Sequence, residues 1–246
     1  MIVADKKPIE EIIEDIKGCD KILILGCNEC VTVCEAGGKK EVGILASALR
    51  MYFLNKGNEK KIDEITLERQ CDHEYLEEIR DVSDQYDAIV SLACGVGVQF
   101  TAEKYLSMPV YPGVNTCFLG ATEERGVWTE RCQACGQCIL STTGGICPVS
   151  RCAKRILNGP CGGSSKGKCE INKEIECAWQ LIIDRLNYLD RMDDYENVYE
   201  IKGTKNYIQS KMNDMKKLDI NYTDLLRGGS GDLLSSPNSL DLIPSV

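Results

Sequence analysis

The stretch KILILGCNECVTVCEAGG, residues 21–38, decides the fold. Its apolar start, Lys21–Leu25, reads as a buried strand. A loop of glycine and cysteine follows, and EVGILASALRMYFLNK at 41–56 reads as a helix. The same alternation continues outward in both directions. Upstream, PIEEIIEDIK at 8–17 carries a helical apolar stripe of Ile9, Ile12, Ile13 and Ile16. Downstream, Lys61–Leu67 reads as a second strand, Glu74–Arg80 as a helix, and YDAIVSLAC at 86–94 as a third strand closed by CGVG. A helix over Gln99–Leu106 and a short strand near Val110 complete the pattern. Strands that alternate with helices imply βαβ units and a mostly parallel sheet. Residues 1–125 are therefore expected to form a small doubly wound α/β domain, flavodoxin- or Rossmann-like, with a cysteine motif near its N-terminus.

Residues 126–178 change character, because glycine and cysteine replace the apolar periodicity. Such a segment cannot build an ordinary core, so bound inorganic centres would have to organise it. CAWQLIIDRLNYLDRM at 177–192 reads as an amphipathic helix, and 179–202 is expected to be a C-terminal helical segment. The remainder, 203–246, ends in RGGSGDLLSSPNSLDLIPSV. It is expected to be either disordered or an arm that wraps a partner through Leu233, Leu234, Leu240 and Ile243.

The chain has 246 residues and a formal net charge of -9. That balance argues against nucleic acid as a partner, since phosphate binding needs a basic face. The N-terminal segment is acidic and amphipathic, without the apolar core of a secretory signal. Runs such as ILIL at 22–25 are too short to span a bilayer. A cytoplasmic protein is expected.

The chain holds 15 cysteines. An odd number cannot pair completely within one chain, and a reducing compartment disfavours disulfides. Clustered cysteines point instead to metal or iron–sulfur ligation. The first cluster, Cys27, Cys30 and Cys34, has C-x2-C-x3-C spacing directly after the first strand. Ligands of open α/β sheets collect beyond the carboxyl ends of strands. Cys94, after the third strand, and Cys71, after the second, are both placed to complete a four-thiol site there.

The second cluster is Cys132, Cys135 and Cys138, with the C-x2-C-x2-C spacing of bacterial ferredoxin-type sites. In those sites a C-P pair follows; here Cys147–Pro148 comes after a longer insert, which leaves the fourth ligand open. Cys152, Cys161, Cys169 and Cys177 follow at wider spacing. Eight thiols divide into two four-cysteine sites, one of 132, 135, 138 and 147 and one of 152, 161, 169 and 177, although spacing alone does not fix this partition. Zinc is the chemical rival, with four thiolates in a tetrahedron. The triplet spacings fit a cubane better, and the 152–177 group suits either.

His73 is the sole histidine, and its position reads as a surface residue at a helix start. A Ser–His–Asp or Cys–His apparatus would have only this residue to use, so no catalytic group stands out. CGVGVQ at 94–99 and GPCGGSSKGK at 159–168 lack the full nucleotide-loop patterns.

CQACGQC, TGGICPVSRCAKRILNGPCGG and GKCE followed by CAW resemble the signature of the methylenetetrahydrofolate reductase C-terminal domain family, the domain of the MetV-type small subunit. GCNECVTVC, RQCD and LACGVGVQ upstream are similar as well, so the likeness spans about 20–190. The resemblance implies a subunit that pairs with a MetF-type catalytic TIM barrel carrying flavin (FMN). That partner reduces 5,10-methylenetetrahydrofolate in the methyl branch of the Wood–Ljungdahl pathway of anaerobic bacteria. It further implies two or three [4Fe-4S] clusters that relay electrons to the flavin, with zinc open at one C-terminal site and further redox proteins as donors. Matching positions are Cys27, Cys30, Cys34 and Cys94, with Cys71 as alternate, and Cys132 through Cys177. A different class of reading uses the same thiols as zinc staples in a structural adaptor that docks the catalytic subunit to redox partners.

Overall fold

The computed structural model of the chain describes residues 1–196. In chain order its strands are β1 (Ile2–Lys6), β2 (Lys21–Cys27), β3 (Lys61–Leu67), β4 (Ala88–Ser91), β5 (Val110–Pro112), β6 (Val114–Glu124) and β7 (Val127–Cys132). The helices are α1 (Ile9–Asp15), α2 (Cys30–Val33), α3 (Lys39–Asn55), α4 (His73–Leu76), α5 (Arg80–Ser83), α6 (Gly95–Lys104), α7 (Pro148–Arg151), α8 (Ala178–Tyr188) and α9 (Asp193–Glu196). The expected tail at 203–246 and the end of the segment 179–202 lie outside the described residues.

Four strands form a wholly parallel sheet in the order β3-β2-β4-β5. β2 is central because its apolar run must be covered on both faces. Side chains alternate along a strand, so Ile22 and Ile24 join Ile12, Ile16, Val42, Ala46, Leu49 and Phe53 on one face. Leu23 and Leu25 join Leu67, Leu76, Ile79, Ile89 and Met108 on the other. Each such fully buried side chain contributes about 1.5–3 kcal/mol. The α/β class expected from KILIL is therefore observed, with helix-bearing layers on both sides of the sheet.

A second sheet, antiparallel and ordered β1-β6-β7, was not legible in the sequence. β6 buries only Val114 fully and its outer half is exposed, so it carries no sustained alternation of apolar residues. Two other elements differ from expectation. The helix expected over Glu74–Arg80 divides into α4, a 3-10 turn at Glu77–Ile79 and α5. Its start is set by Asp72, whose carboxylate accepts from Glu74 N–H at 3.1 Å. The helix expected from Gln99 begins earlier, at Gly95, with Cys94 as its N-cap.

β2 lies between β3 and β4, the strands that follow it in sequence. The loops after all three strands thus leave the sheet side by side at its carboxyl edge. In open α/β sheets this is where a crevice forms. Gly37 lets the α2–α3 turn close down on that edge: a Cβ there would lie 1.9 Å from the Leu92 carbonyl oxygen.

Candidate metal centres

Cys27 ends β2 in register with Leu67, the last residue of β3. Two links tie the loops beyond them together. Asn28 N–H donates to the carbonyls of Leu67 and Glu68 at 3.0 and 3.2 Å, and the Arg69 guanidinium pairs with Glu29 at 3.2 Å. These contacts carry Cys71 to the cysteine-bearing loop of β2. Cys94 enters from the β4 side as the N-cap of α6.

The thiols of Cys27, Cys71 and Cys94 lie close enough to act on one another electrostatically. Burial pushes the Cys27 thiol up, and the Cys71 and Cys94 thiols push it the same way. Burial also raises Cys71, followed by Cys94, with Cys30 adding in the same direction. Thiols that oppose one another's ionisation are an arrangement that a bound cation relieves. Electrostatic influence thus links Cys27, Cys71 and Cys94, and Cys30 reaches Cys71.

Cys34 is directed elsewhere. It is buried, accepts from Ala4 N–H at 3.5 Å, and faces the carbonyls of Ala4 and Val31 at 3.6 Å. Its thiol is raised mainly by burial, with Cys30 the nearest thiol influence. Cys30 therefore neighbours both Cys34 and the group around Cys71.

β7 ends at Cys132, and the following loop curls back on itself. Ala134 and Gly136 take left-handed backbone conformations, with φ of 49° and 77°. Ala134 N–H donates to Cys132 Sγ at 3.3 Å. The loop borders an open cavity of about 350 Å³ lined by Cys132, Cys135, Cys138 and Cys147, with Ile139, Leu140 and Val149 as apolar neighbours. Cys147 reaches it as the N-cap of α7. That short helix is fastened to the strand by Ser150 Oγ, which donates to the Arg131 carbonyl at 2.9 Å. Cys132, Cys135, Cys138 and Cys147 thus line one cavity.

The remaining thiols fall into two adjoining pairs. Cys152, at the end of α7, and Cys177, the N-cap of α8, pack into a small core with Trp179, Ile182 and Leu186. Cys161 and Cys169 flank the ion pair of Lys154 and Glu170, with Cys161 Sγ donating to Glu170 Oε2 at 3.4 Å. Cys177 N–H bonds to the Gly167 carbonyl at 2.7 Å, and Lys168 bridges to Glu176, which draws the 169 and 177 segments together. Trp179 organises this region. Its Nε1–H donates to the Ile156 carbonyl at 2.8 Å, and its ring lies over Gly159, where a Cβ would stand 2.3 Å from it.

Among the described residues, no three His, Cys, Asp or Glu side chains are gathered around one point tightly enough for a single metal ion. The donors at all three places are thiols, the ligand type that selects zinc or iron–sulfur clusters over hard cations. The donor chemistry and the cavity beside Cys132 therefore fit such a group. His73 is exposed and stacks on Phe100, with ring centroids 5.0 Å apart. Sequence reasoning missed Gln70. Its side chain is 0% exposed beside Cys71, and nothing in the residue pattern distinguishes it from a loop residue.

Residues 111–205 match the family model described as methylene-tetrahydrofolate reductase C terminal. The matched span contains all eight cysteines from Cys132 to Cys177, and the loops of Cys27, Cys71 and Cys94 precede it. This part of the chain is similar to a component of methylenetetrahydrofolate reductase. No curated protein and no solved structure matches the chain. Among the described residues no helix is long and apolar enough to cross a membrane.

Proposed function

We propose that this chain is an iron–sulfur accessory subunit, of MetV type, of a 5,10-methylenetetrahydrofolate reductase. Its partner is a MetF-type catalytic subunit that carries the flavin. The observation that carries the reading is the cavity lined by Cys132, Cys135, Cys138 and Cys147, which lies inside the span matched by the reductase family.

On this reading Cys132, Cys135, Cys138 and Cys147 hold one [4Fe-4S] cluster. Cys27, Cys30, Cys71 and Cys94 hold another at the sheet edge. Cys152, Cys161, Cys169 and Cys177 hold a third centre, iron–sulfur or zinc. Bound there, iron–sulfur clusters supply one-electron transfer between an external donor and the partner's flavin. The chain's own residues position those groups and set their surroundings. Ile139, Leu140 and Val149 give the cavity beside Cys132 apolar neighbours. Left-handed Ala134 and Gly136 turn the main chain so that the loop closes around the thiols.

The test is anaerobic purification with quantification of iron, acid-labile sulfide and zinc, followed by reduction in the presence of the flavin-bearing subunit. Iron and sulfide in cluster proportions, and flavin reduction that requires this chain, are the expected results. Zinc alone would replace the relay with a zinc-stapled adaptor that docks the catalytic subunit. Reduced clusters that never pass electrons to a bound flavin subunit would overturn the relay.

A further inference from the structure

We infer that Gln70 is the positioning residue of the N-terminal thiol group: its one side-chain amide sets the relative placement of the loops that carry Cys27, Cys71 and Cys94. The inference rests on the reading of those thiols as ligands of one centre.

The amide uses both of its donors and its acceptor oxygen. Nε2 donates to the carbonyls of Leu25 and Gly26, at 2.9 and 3.0 Å. Oε1 accepts from Ser91 Oγ at 2.6 Å and lies 3.4 Å from Thr101 Oγ1. Each partner stands close to a thiol-bearing position. Gly26 precedes Cys27, and Gln70 itself precedes Cys71. Ser91 Oγ in turn accepts from Ala93 N–H at 3.2 Å, and Ala93 precedes Cys94. Thr101, whose Oγ1 stands beside Oε1, lies on α6, whose N-cap is Cys94, and donates to the Gly97 carbonyl at 2.9 Å.

Gly97 shows how closely α6 is pressed on this group. A Cβ there would lie 2.9 Å from Gln70 Cβ and 2.7 Å from Ala93 Cβ. The glycine of the CGVG motif thus serves the contact with Gln70. The polar ring is fully buried, so a missing partner strands donors and acceptors without water. A group that fixes ligands from behind typically changes metal affinity by about 10–100-fold when removed.

The experiment uses the full chain, prepared anaerobically. Gln70→Met keeps the side-chain length and removes the amide's hydrogen bonds. Ile79→Ala opens a cavity in the core on the other face of the sheet, whose buried cluster contains no cysteine, and with Leu49→Ala serves as a destabilised control. Cys27→Ser and Cys71→Ser define how much iron belongs to the N-terminal centre. The readouts are iron per chain, the EPR spectrum of the reduced protein, and the rate of iron loss to bathophenanthroline disulfonate. Gln70→Met is expected to alter the N-terminal EPR signal and to release that centre's iron at least about tenfold faster. The C-terminal signal should stay unchanged, and Ile79→Ala and Leu49→Ala should keep both signals. Should Gln70→Met not fold, Ser91→Ala removes one donor to Oε1 and is expected to perturb the same signal to a lesser degree. If these Gln70 and Ser91 variants match the unaltered chain in all three readouts, the positioning role is wrong. If Cys27→Ser and Cys71→Ser leave iron and EPR unchanged, no centre exists at the sheet edge and the underlying assignment falls instead.

Discussion

The thiol of Cys34 meets the main chain of Ala4, 3.5 Å from its nitrogen and 3.6 Å from its carbonyl oxygen, and so ties α2 to β1. Cys34 shares the C-x2-C-x3-C motif with Cys27 and Cys30, yet its contacts are those of a buried structural thiol. Cys34→Ala is expected to keep the iron content and EPR spectrum while it lowers stability by about 1–2 kcal/mol. Cys71→Ser is expected to remove one centre. Loss of a full centre in Cys34→Ala, with Cys71→Ser unchanged, would reverse the assignment.

The cavity beside Cys132 leads to a second expectation. Cys135→Ser removes a thiol from its lining. One reduced-cluster signal should disappear and the other persist. Metal analysis should show iron loss equivalent to a single centre.

Trp179 is 4% exposed and bonds through Nε1 to the Ile156 carbonyl. Trp179→Phe keeps most of the apolar contact but strands that carbonyl, at a cost of about 1–3 kcal/mol. Trp179→Ala should cost about 3–5 kcal/mol. Denaturant midpoints measured with the metal content held constant check both values. The region from Cys132 to Glu196 should unfold first, since its own core is small.

Tyr86 offers a pH test at a site distant from the thiols. Burial, then its hydrogen bond to the Asp63 carboxylate at 2.9 Å, push its phenol up to about 12. A raised acid is stabilising in its protonated form. The contribution is complete below the unfolded-state value, near 10, and is lost as pH rises through about 12. The stability difference between the unaltered chain and Tyr86→Phe should therefore be constant near pH 8 and shrink across that alkaline window. A difference that stays level across the window would show that the bond does not shift the phenol.

The parallel sheet was legible because Ile22–Leu25 form an uninterrupted apolar run, which only a strand covered on both faces accommodates. Spacing left the fourth partner of Cys132, Cys135 and Cys138 open; all three and Cys147 line one cavity, since sixteen consecutive positions keep them near one another. The sheet-edge group was legible only in part. Cys27, Cys71 and Cys94 are far apart in sequence, and strand order alone decides which of them meet. Cys34, grouped with Cys27 and Cys30 by nearness in sequence, has its thiol against the main chain of Ala4 in β1. The antiparallel sheet went unseen because β6 is mostly exposed and shows no periodic apolar face.

The strand order β3-β2-β4 carries a temporal consequence. Thiols at 27, 71 and 94 become neighbours only after three successive βα units have emerged from the ribosome and docked. The 132–147 loop, by contrast, holds its four sulfurs within sixteen consecutive positions of the chain. On the proposed reading, the compact loop is complete for an inorganic core as soon as it is synthesised, whereas the sheet-edge thiols have to wait for tertiary closure.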